Sequence, residues 1–160
     1  MTILESTADP EQRLKELGIE LPTPPRPFGA YVESVQSGRL LFLSGMLPVV
    51  DHKPKYVGRL GQELDAESGR DALRIASMSA LSAARAHLGT LDKVTRVVRL
   101  GIYLATSGDF FDQPKVADAA SELFESIFGK ENTSVRMVLG VASLPLGMPV
   151  ELEVILEVAE

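Results

Sequence analysis

In the segment TSVRMVLGVASLPLGMPVELEVILEV, residues 133–158, Arg136 stands in the middle of an apolar strand pattern. Val135, Met137, Leu139 and Val141 alternate on one side, and Arg136, Val138, Gly140 and Ala142 on the other. A guanidinium there cannot be buried without a partner at less than the order of several kcal/mol. It must reach water at a sheet edge, an acidic side chain, or an anionic ligand. Its planar fork matches a carboxylate, which it can hold through two parallel hydrogen bonds. Downstream, Val150, Leu152, Val154, Leu156 and Val158 form one face of a second strand, and Glu151, Glu153, Ile155 and Glu157 the other. These carboxylates either make a solvated face that pairs with Arg96 and Arg99 of another strand, or include one that orients a water or carries a proton.

Ser44-Gly45 closes an apolar run, where a serine is either a ligand hydroxyl or a strand end that satisfies the backbone. No G-x-S-x-G surrounds it, so a nucleophile elbow is absent. His52 and His87 have no metal-ligand spacing, and no metal or cofactor is expected. GRLGQ, residues 58–62, lacks the Gly-Lys-Ser/Thr ending of a phosphate loop.

The 160 residues suit one domain, given typical domains of roughly 100–200 residues. With 45% hydrophobic and 24% charged residues the chain can bury a core without staples. It has no cysteine, which excludes disulfides and thiol nucleophiles and fits a cytoplasmic location. A net charge of -6 counts against nonspecific nucleic-acid binding, which needs a basic surface. No signal peptide opens the sequence, and no apolar run nears the roughly 20 residues of a membrane span.

Residues 1–9 look loose; Asp9, Pro10 and Gly18 then mark a short helix, making 1–21 an N-terminal extension to a single domain over 22–160. Four prolines in residues 22–27 make an extended connector. A hairpin follows, with Tyr31, Val32 and Val35 in its first strand, Ser37-Gly38 as its turn and Leu40 to Leu43 in its second. A polar loop with a short strand leads to a long helix over 65–88, whose stripe is Leu73, Ala76, Ala80, Ala83 and His87. Residues 93–105 predict a strand with Val94, Val98, Leu100, Ile102 and Leu104 on one face; a second helix spans Pro114 to Phe128, striped by Val116, Ala120, Leu123 and Ile127. Two strands around a turn, 134–142 and 150–158, end the chain. The fold class is α+β. Two main helices cover one face of such a sheet. Several strands are apolar on both parities, so the other face calls for a second cover, and an identical subunit supplies one most simply.

Three segments resemble the RidA/YjgF family, also called the L-PSP endoribonuclease family. PFGAYVESVQSGRLLFLSGMLPV is similar to its opening hairpin, LDKVTRVVRLGIYLATSGDF to its central strand, and VRMVLGVASLPLGMPVELE to its closing signature. That signature is an Arg, then V-A-x-L-P, then V-E-[IVL]-E, and the likeness spans residues 26–158. The N-terminal helix and the second-helix segment resemble a longer, less characterised branch.

The resemblance implies a chorismate-mutase-like fold, a mixed sheet with two main helices on one face, and a homotrimer with clefts between subunits. It implies an enamine/imine deaminase that hydrolyses reactive 2-imino acids to 2-keto acids and ammonia without a cofactor. Arg136 matches the residue that grips the substrate carboxylate, and Glu151 the one that helps the attacking water. Tyr31, Ser44 and Gly45 match substrate-binding positions of the opening hairpin. Val138 stands where the RidA branch often has cysteine, which leaves its backbone amide as a donor; Asp118 lies nearest the position of a common asparagine. A non-catalytic member that binds a small carboxylate would use the same residues. The ribonuclease of the older family name fits the acidic charge poorly. The expected partners are a 2-imino or 2-keto acid and other copies of the chain, with no nucleic acid and no membrane.

Overall fold

The computed structural model describes residues 9–160. The loose stretch expected over residues 1–9 lies, apart from Asp9, outside the described residues. The main elements are α1 (Pro10–Glu16), β1 (Ser34–Ser37), β2 (Leu40–Leu43), β3 (Val49–Val50), β4 (Lys53–Pro54), α2 (Ala66–Leu88), β5 (Val94–Ala105), α3 (Gln113–Phe128), β6 (Val135–Val141) and β7 (Val150–Val158). One five-stranded sheet runs β1-β2-β7-β5-β6, and β3 pairs only with β4. Every neighbouring pair in the large sheet is antiparallel except β5 and β6, which are parallel. A parallel pair needs a crossover, and α3 provides it.

The two long helices begin and end where the chain's chemistry dictates. The Asp65 carboxylate caps α2 by accepting from the Ser68 amide at 2.8 Å, and Gly89 ends it with φ 84°. Ala72, Ala76, Ala80 and Ala84 of α2 are buried, and these short side chains let the helix sit close to the sheet. Val116, Ala120, Leu123 and Ile127 of α3 are buried beside it, as their spacing predicts. His87 departs from the expected stripe. It is exposed at the last turn of α2 and bonds Ser34 Oγ and Gln36 Oε1 of the edge strand β1, each at 3.0 Å.

The strands depart from expectation in three places. Tyr31 and Val32 precede β1; Tyr31 Oη accepts from the Phe28 amide of the connector, and the Val32 carbonyl accepts from Ser44 Oγ after β2. The two last strands are not neighbours, since β5 lies between β6 and β7. The ladder of β5 with β7 slips between Val94 and Arg96 and again between Val97 and Arg99. Those irregularities break the simple alternation. Val97 is therefore buried with Val94, Leu100, Ile102 and Leu104, whereas Val98 is only half-buried.

The core lies between the helices and one sheet face. On the opposite face, Phe42 is 40% exposed, Met137 50% and Val135 71%, so that face is open in the single chain. β2 is thus buried at Leu41 and Leu43 only, not on both faces. No helix of the described residues is long and apolar enough to cross a membrane.

α1 fixes where the connector starts. Arg85 Nε and Nη2 donate to the two carboxylate oxygens of Glu11 at 3.0 and 2.6 Å, and the Leu91 amide donates to the same carboxylate at 2.9 Å. Burial pushes this carboxyl up, but the Arg85 and Leu91 bonds outweigh it and hold it below the usual glutamate range. A carboxyl lowered on folding stabilises the fold above its unfolded value, and that contribution is lost as pH falls through the folded value. Acidification below the glutamate range should therefore release α1 before the core unfolds, read as faster amide exchange in Pro10–Glu16. Glu11→Gln should show the same fast exchange at neutral pH; protection equal to wild type would mean that buried Leu14 and the Arg13 bond to the Ile127 carbonyl hold α1 without the carboxylate.

Candidate active site

Arg136 lies on β6, the edge strand, opposite Leu100 of β5. Leu100 faces the helices, and so therefore does Arg136. Its Nη1 donates to Asp118 Oδ1 at 2.8 Å and to Ser121 Oγ at 3.1 Å, both on α3. Among the described residues these bonds engage one edge of the guanidinium and leave the other without a hydrogen-bond partner. The Arg136 side chain is 29% exposed and that of Asp118 49%. An ion pair this open is worth about 1 kcal/mol or less, so a ligand carboxylate can compete for the arginine. Val138 follows on the same face, half-buried opposite Ile102. Gly140 comes next, and a Cβ there would meet Thr106 Oγ1 at 2.9 Å and Gln113 Nε2 at 3.2 Å. One row on β6 thus presents a cation, an apolar step and a pair of polar groups.

Glu151 belongs to a different place. It sits on β7 opposite Tyr103, on the open face of the sheet. Its carboxylate packs over Gly45, where a Cβ would lie 3.0 Å from Glu151 Cδ and 3.2 Å from Cγ. The missing side chain at Gly45 is what gives the carboxylate its seat. Burial pushes the Glu151 carboxyl above the usual glutamate range, with no cation to offset it. Glu153, two residues on, pairs with Arg99 at 3.2 Å. The pairing expected for this face therefore holds at Glu153, while Glu151 has no ion-pair partner among the described residues.

Tyr31 and Ser44 gather near Gly45. Ser44 Oγ donates to the Val32 carbonyl at 2.6 Å, and Tyr31 Oη accepts from the Phe28 amide at 2.9 Å. Both hydroxyls shape the connector. Tyr31 and Gly45 also line a cavity of about 460 Å³ together with Glu33, whose carboxyl burial likewise raises.

The site residues thus fall into two groups. Arg136, Val138 and Asp118 share the helix side of the β6 edge. Glu151, Gly45, Ser44 and Tyr31 share the far end of β2. β5 separates β6 from β7, and Arg136 and Glu151 point to opposite faces of the sheet. Within one chain they cannot face one ligand. Sequence reasoning missed Ser121, Thr106, Gln113 and Glu33. Ser121 is one helical turn after Asp118, a spacing that places both on one face of α3. Glu33 carried no signal, since a lone carboxylate in an alternating strand reads as solvated.

The Gly45 contact has a direct test. Gly45→Ala should stay folded, because only the end of a flexible side chain must move. The displaced Glu151 carboxyl should then titrate lower, near an ordinary glutamate, by carboxyl-selective NMR. An unchanged titration would show that Gly45 does not position it.

Comparisons with known proteins place the chain in a family. Residues 11–157 match the model of the YjgF/chorismate mutase-like endoribonuclease family. The Trypanosoma cruzi protein TCP17 is 40% identical over 145 residues, covering 90% of this chain and 91% of that one. A 2-iminobutanoate/2-iminopropanoate deaminase of Dermatophagoides farinae is 29% identical over 136 residues, covering 84% and 91%. The solved structure of Atu1372 from Agrobacterium tumefaciens, of unknown function, superposes with a TM-score of 0.85 at 34% identity, covering 94% of this chain and 92% of that one. With residues 11–157 of its 160 matched, the chain belongs to the YjgF/chorismate mutase-like endoribonuclease family.

Proposed function

We propose that this protein is an enamine/imine deaminase, hydrolysing 2-imino acids to 2-keto acids and ammonia in clefts between the subunits of a homotrimer. The observation that carries the proposal is the placement of Arg136 and Glu151 on opposite faces of one sheet. Each chain then offers two half-sites, one with a carboxylate anchor and one with a base, and a neighbouring copy joins them. The apolar open face around Phe42, Val135 and Met137 supports such an assembly. The similarity to the Dermatophagoides farinae deaminase supports the reaction.

The chemistry asks little of the protein. A protonated imine is already electrophilic at C2, so fixing the substrate beside a water supplies most of what is needed. The free edge of Arg136 holds the substrate carboxylate. Glu151 takes a proton from the water as its oxygen bonds to C2, forming a carbinolamine. The proton passes from Glu151 to the nitrogen. The C–N bond breaks as the hydroxyl oxygen forms the C=O bond and returns its proton to Glu151, and ammonia (which then takes up that proton as ammonium) and the keto acid leave. A carboxyl raised by burial is a stronger base than a solvated one, which suits this exchange.

Asp118 favours a second reading. Its pair with Arg136 must yield or shift when a carboxylate binds, which suits a binder that senses the ligand without turnover. Keto-acid release from freshly generated imino acids separates the two readings, since a binder leaves the buffer rate unchanged.

For the deaminase, Arg136→Ala should lower kcat/KM roughly 100-fold, the order of one lost charge-assisted hydrogen bond. Glu151→Gln should lower kcat by about 10²-fold or more, as expected for a general base. Wild-type kcat/KM should fall with acid along a limb that lies above the glutamate range, and Glu151→Gln should lose that limb. The wild-type protein should sediment at three times the chain mass of 17.3 kDa. A monomer with full activity would contradict the shared cleft.

A further inference from the structure

On the helix side of β6, the row that begins at Arg136 ends at Gly140, which is exposed. Two donors face the gap left by its missing side chain. A Cβ there would lie 2.9 Å from Thr106 Oγ1 and 3.2 Å from Gln113 Nε2. Thr106 is only 7% exposed, and among the described residues its hydroxyl has no hydrogen-bond partner. Gln113 Nε2 donates to the Phe110 carbonyl at 2.8 Å, which uses one of its two N–H groups. Gln113 is also the first residue of α3, a helix of 16 residues. Its N-cap Asp112 makes no side-chain cap bond and its first turn holds no acidic residue, whereas the Asp65 carboxylate caps α2. The uncapped amides and the positive end of the helix dipole favour an anion at this end of the groove. The buried hydroxyl of Thr106 needs an acceptor, and the Gly140 gap is the side from which a ligand can bring one.

We propose that the groove between β6 and α3 is a diacid site, in which Arg136 holds one carboxylate and Thr106 and Gln113 hold a second over Gly140. The ligand class is the imine of a five-carbon dicarboxylic amino acid and the matching 2-keto diacid. The reaction rests on the deaminase reading, while the binding of the diacid rests on the groove. α3 spans both ends, since Asp118 and Ser121 bond Arg136 and Gln113 stands at Gly140. Gln113 and Asp118 are about 7.5 Å apart along the helix, at 1.5 Å per residue. Arg136 and Gly140 are about 13 Å apart along the strand, at roughly 3.3 Å per residue. Hydrogen bonds at the two ends take about 6 Å of such a span, and the few ångströms left match the two carboxylates of a five-carbon chain. The methylenes between them cross Val138, the apolar step of the row. C2 stays next to the carboxylate on Arg136, so the second anchor is joined to the reacting carbon by the substrate's own chain. A monoacid of the same length leaves the Thr106 hydroxyl without an acceptor.

The test is calorimetric binding of 2-oxoglutarate to the full-length protein, against 2-oxopentanoate, which has the same chain without the second carboxylate. Wild type should bind the diacid roughly 10- to 100-fold more tightly, the order of one hydrogen bond to a charged group. Thr106→Val keeps the shape of the side chain and removes a donor that leaves no protein group unpaired, so the fold should survive it. Gln113→Leu removes the other donor at the first residue of α3. Each should bring the ratio of the two affinities close to one. Equal affinities in wild type, a preference that survives both variants, or a protein that binds neither acid would overturn the inference. Imines released in situ from glutamate and norvaline by an amino-acid oxidase then separate the site from the reaction. Preferred binding of the diacid with no turnover of either imine would support the site and sink the deaminase reading. A higher kcat/KM on the glutamate imine would support both, and a higher one on the norvaline imine would overturn the diacid site.

Discussion

β5 is the strand on which the rest of the site depends. It pairs with β6 on one side and β7 on the other, and its register fixes which way each neighbour's side chains point. Side chains of a strand alternate between faces, so a shift by one residue would exchange the faces of a whole set. Leu100 opposite Arg136 sends the arginine to the helix side, and Tyr103 opposite Glu151 sends the glutamate to the open side. The slips in the first half of β5 end at Arg99, before either pairing begins, so the second half of the strand carries both half-sites in regular register. The same strand buries Leu100, Ile102 and Leu104 in the core, which ties both pairings to it.

The two half-sites differ in their electrostatics, and the difference suits different tasks. Arg136 is charge-compensated by Asp118 and hydrogen-bonded to Ser121, so its position is set before any ligand arrives. Such preorganisation lowers the ordering cost of binding, while the openness of the pair keeps the competition with Asp118 small. Glu151 has the opposite condition: a seat over Gly45, partial burial and no cation. Glu153 would make a poor base by comparison, since Arg99 already holds its carboxylate. Two carboxylates two residues apart thus have different surroundings, decided by one arginine and one glycine.

Much of this was legible in the chain. Period-two alternation singled out Arg136 and placed Glu151 and Glu153 on one face, and helical spacing located α2 and α3 with their buried stripes. The apolar residues of both strand parities correctly implied a sheet face that one chain leaves open. The insertion of β5 between β6 and β7 was not legible from the short turn joining the last two strands, because pairing partners are chosen by long-range packing. The slips in β5 escaped the pattern for a related reason: Val97 and Val98 are both valine, so composition does not say which of them turns inward. Glu33 and the cavity it lines come from three distant segments, and no local motif marks such a meeting.

The central claim is that Arg136 and Glu151 act on one substrate from two different chains. The most direct measurement mixes Arg136→Ala and Glu151→Gln subunits in equal amounts, allows them to reassemble, and reads imine hydrolysis. Each variant alone should be nearly inactive. In a random mixture a site built from two chains draws an intact arginine and an intact glutamate together in about one quarter of cases, so about a quarter of wild-type activity should return. A mixed population that assembles but stays as inactive as its parents would contradict the account, because it would place both residues of each working site in the same chain.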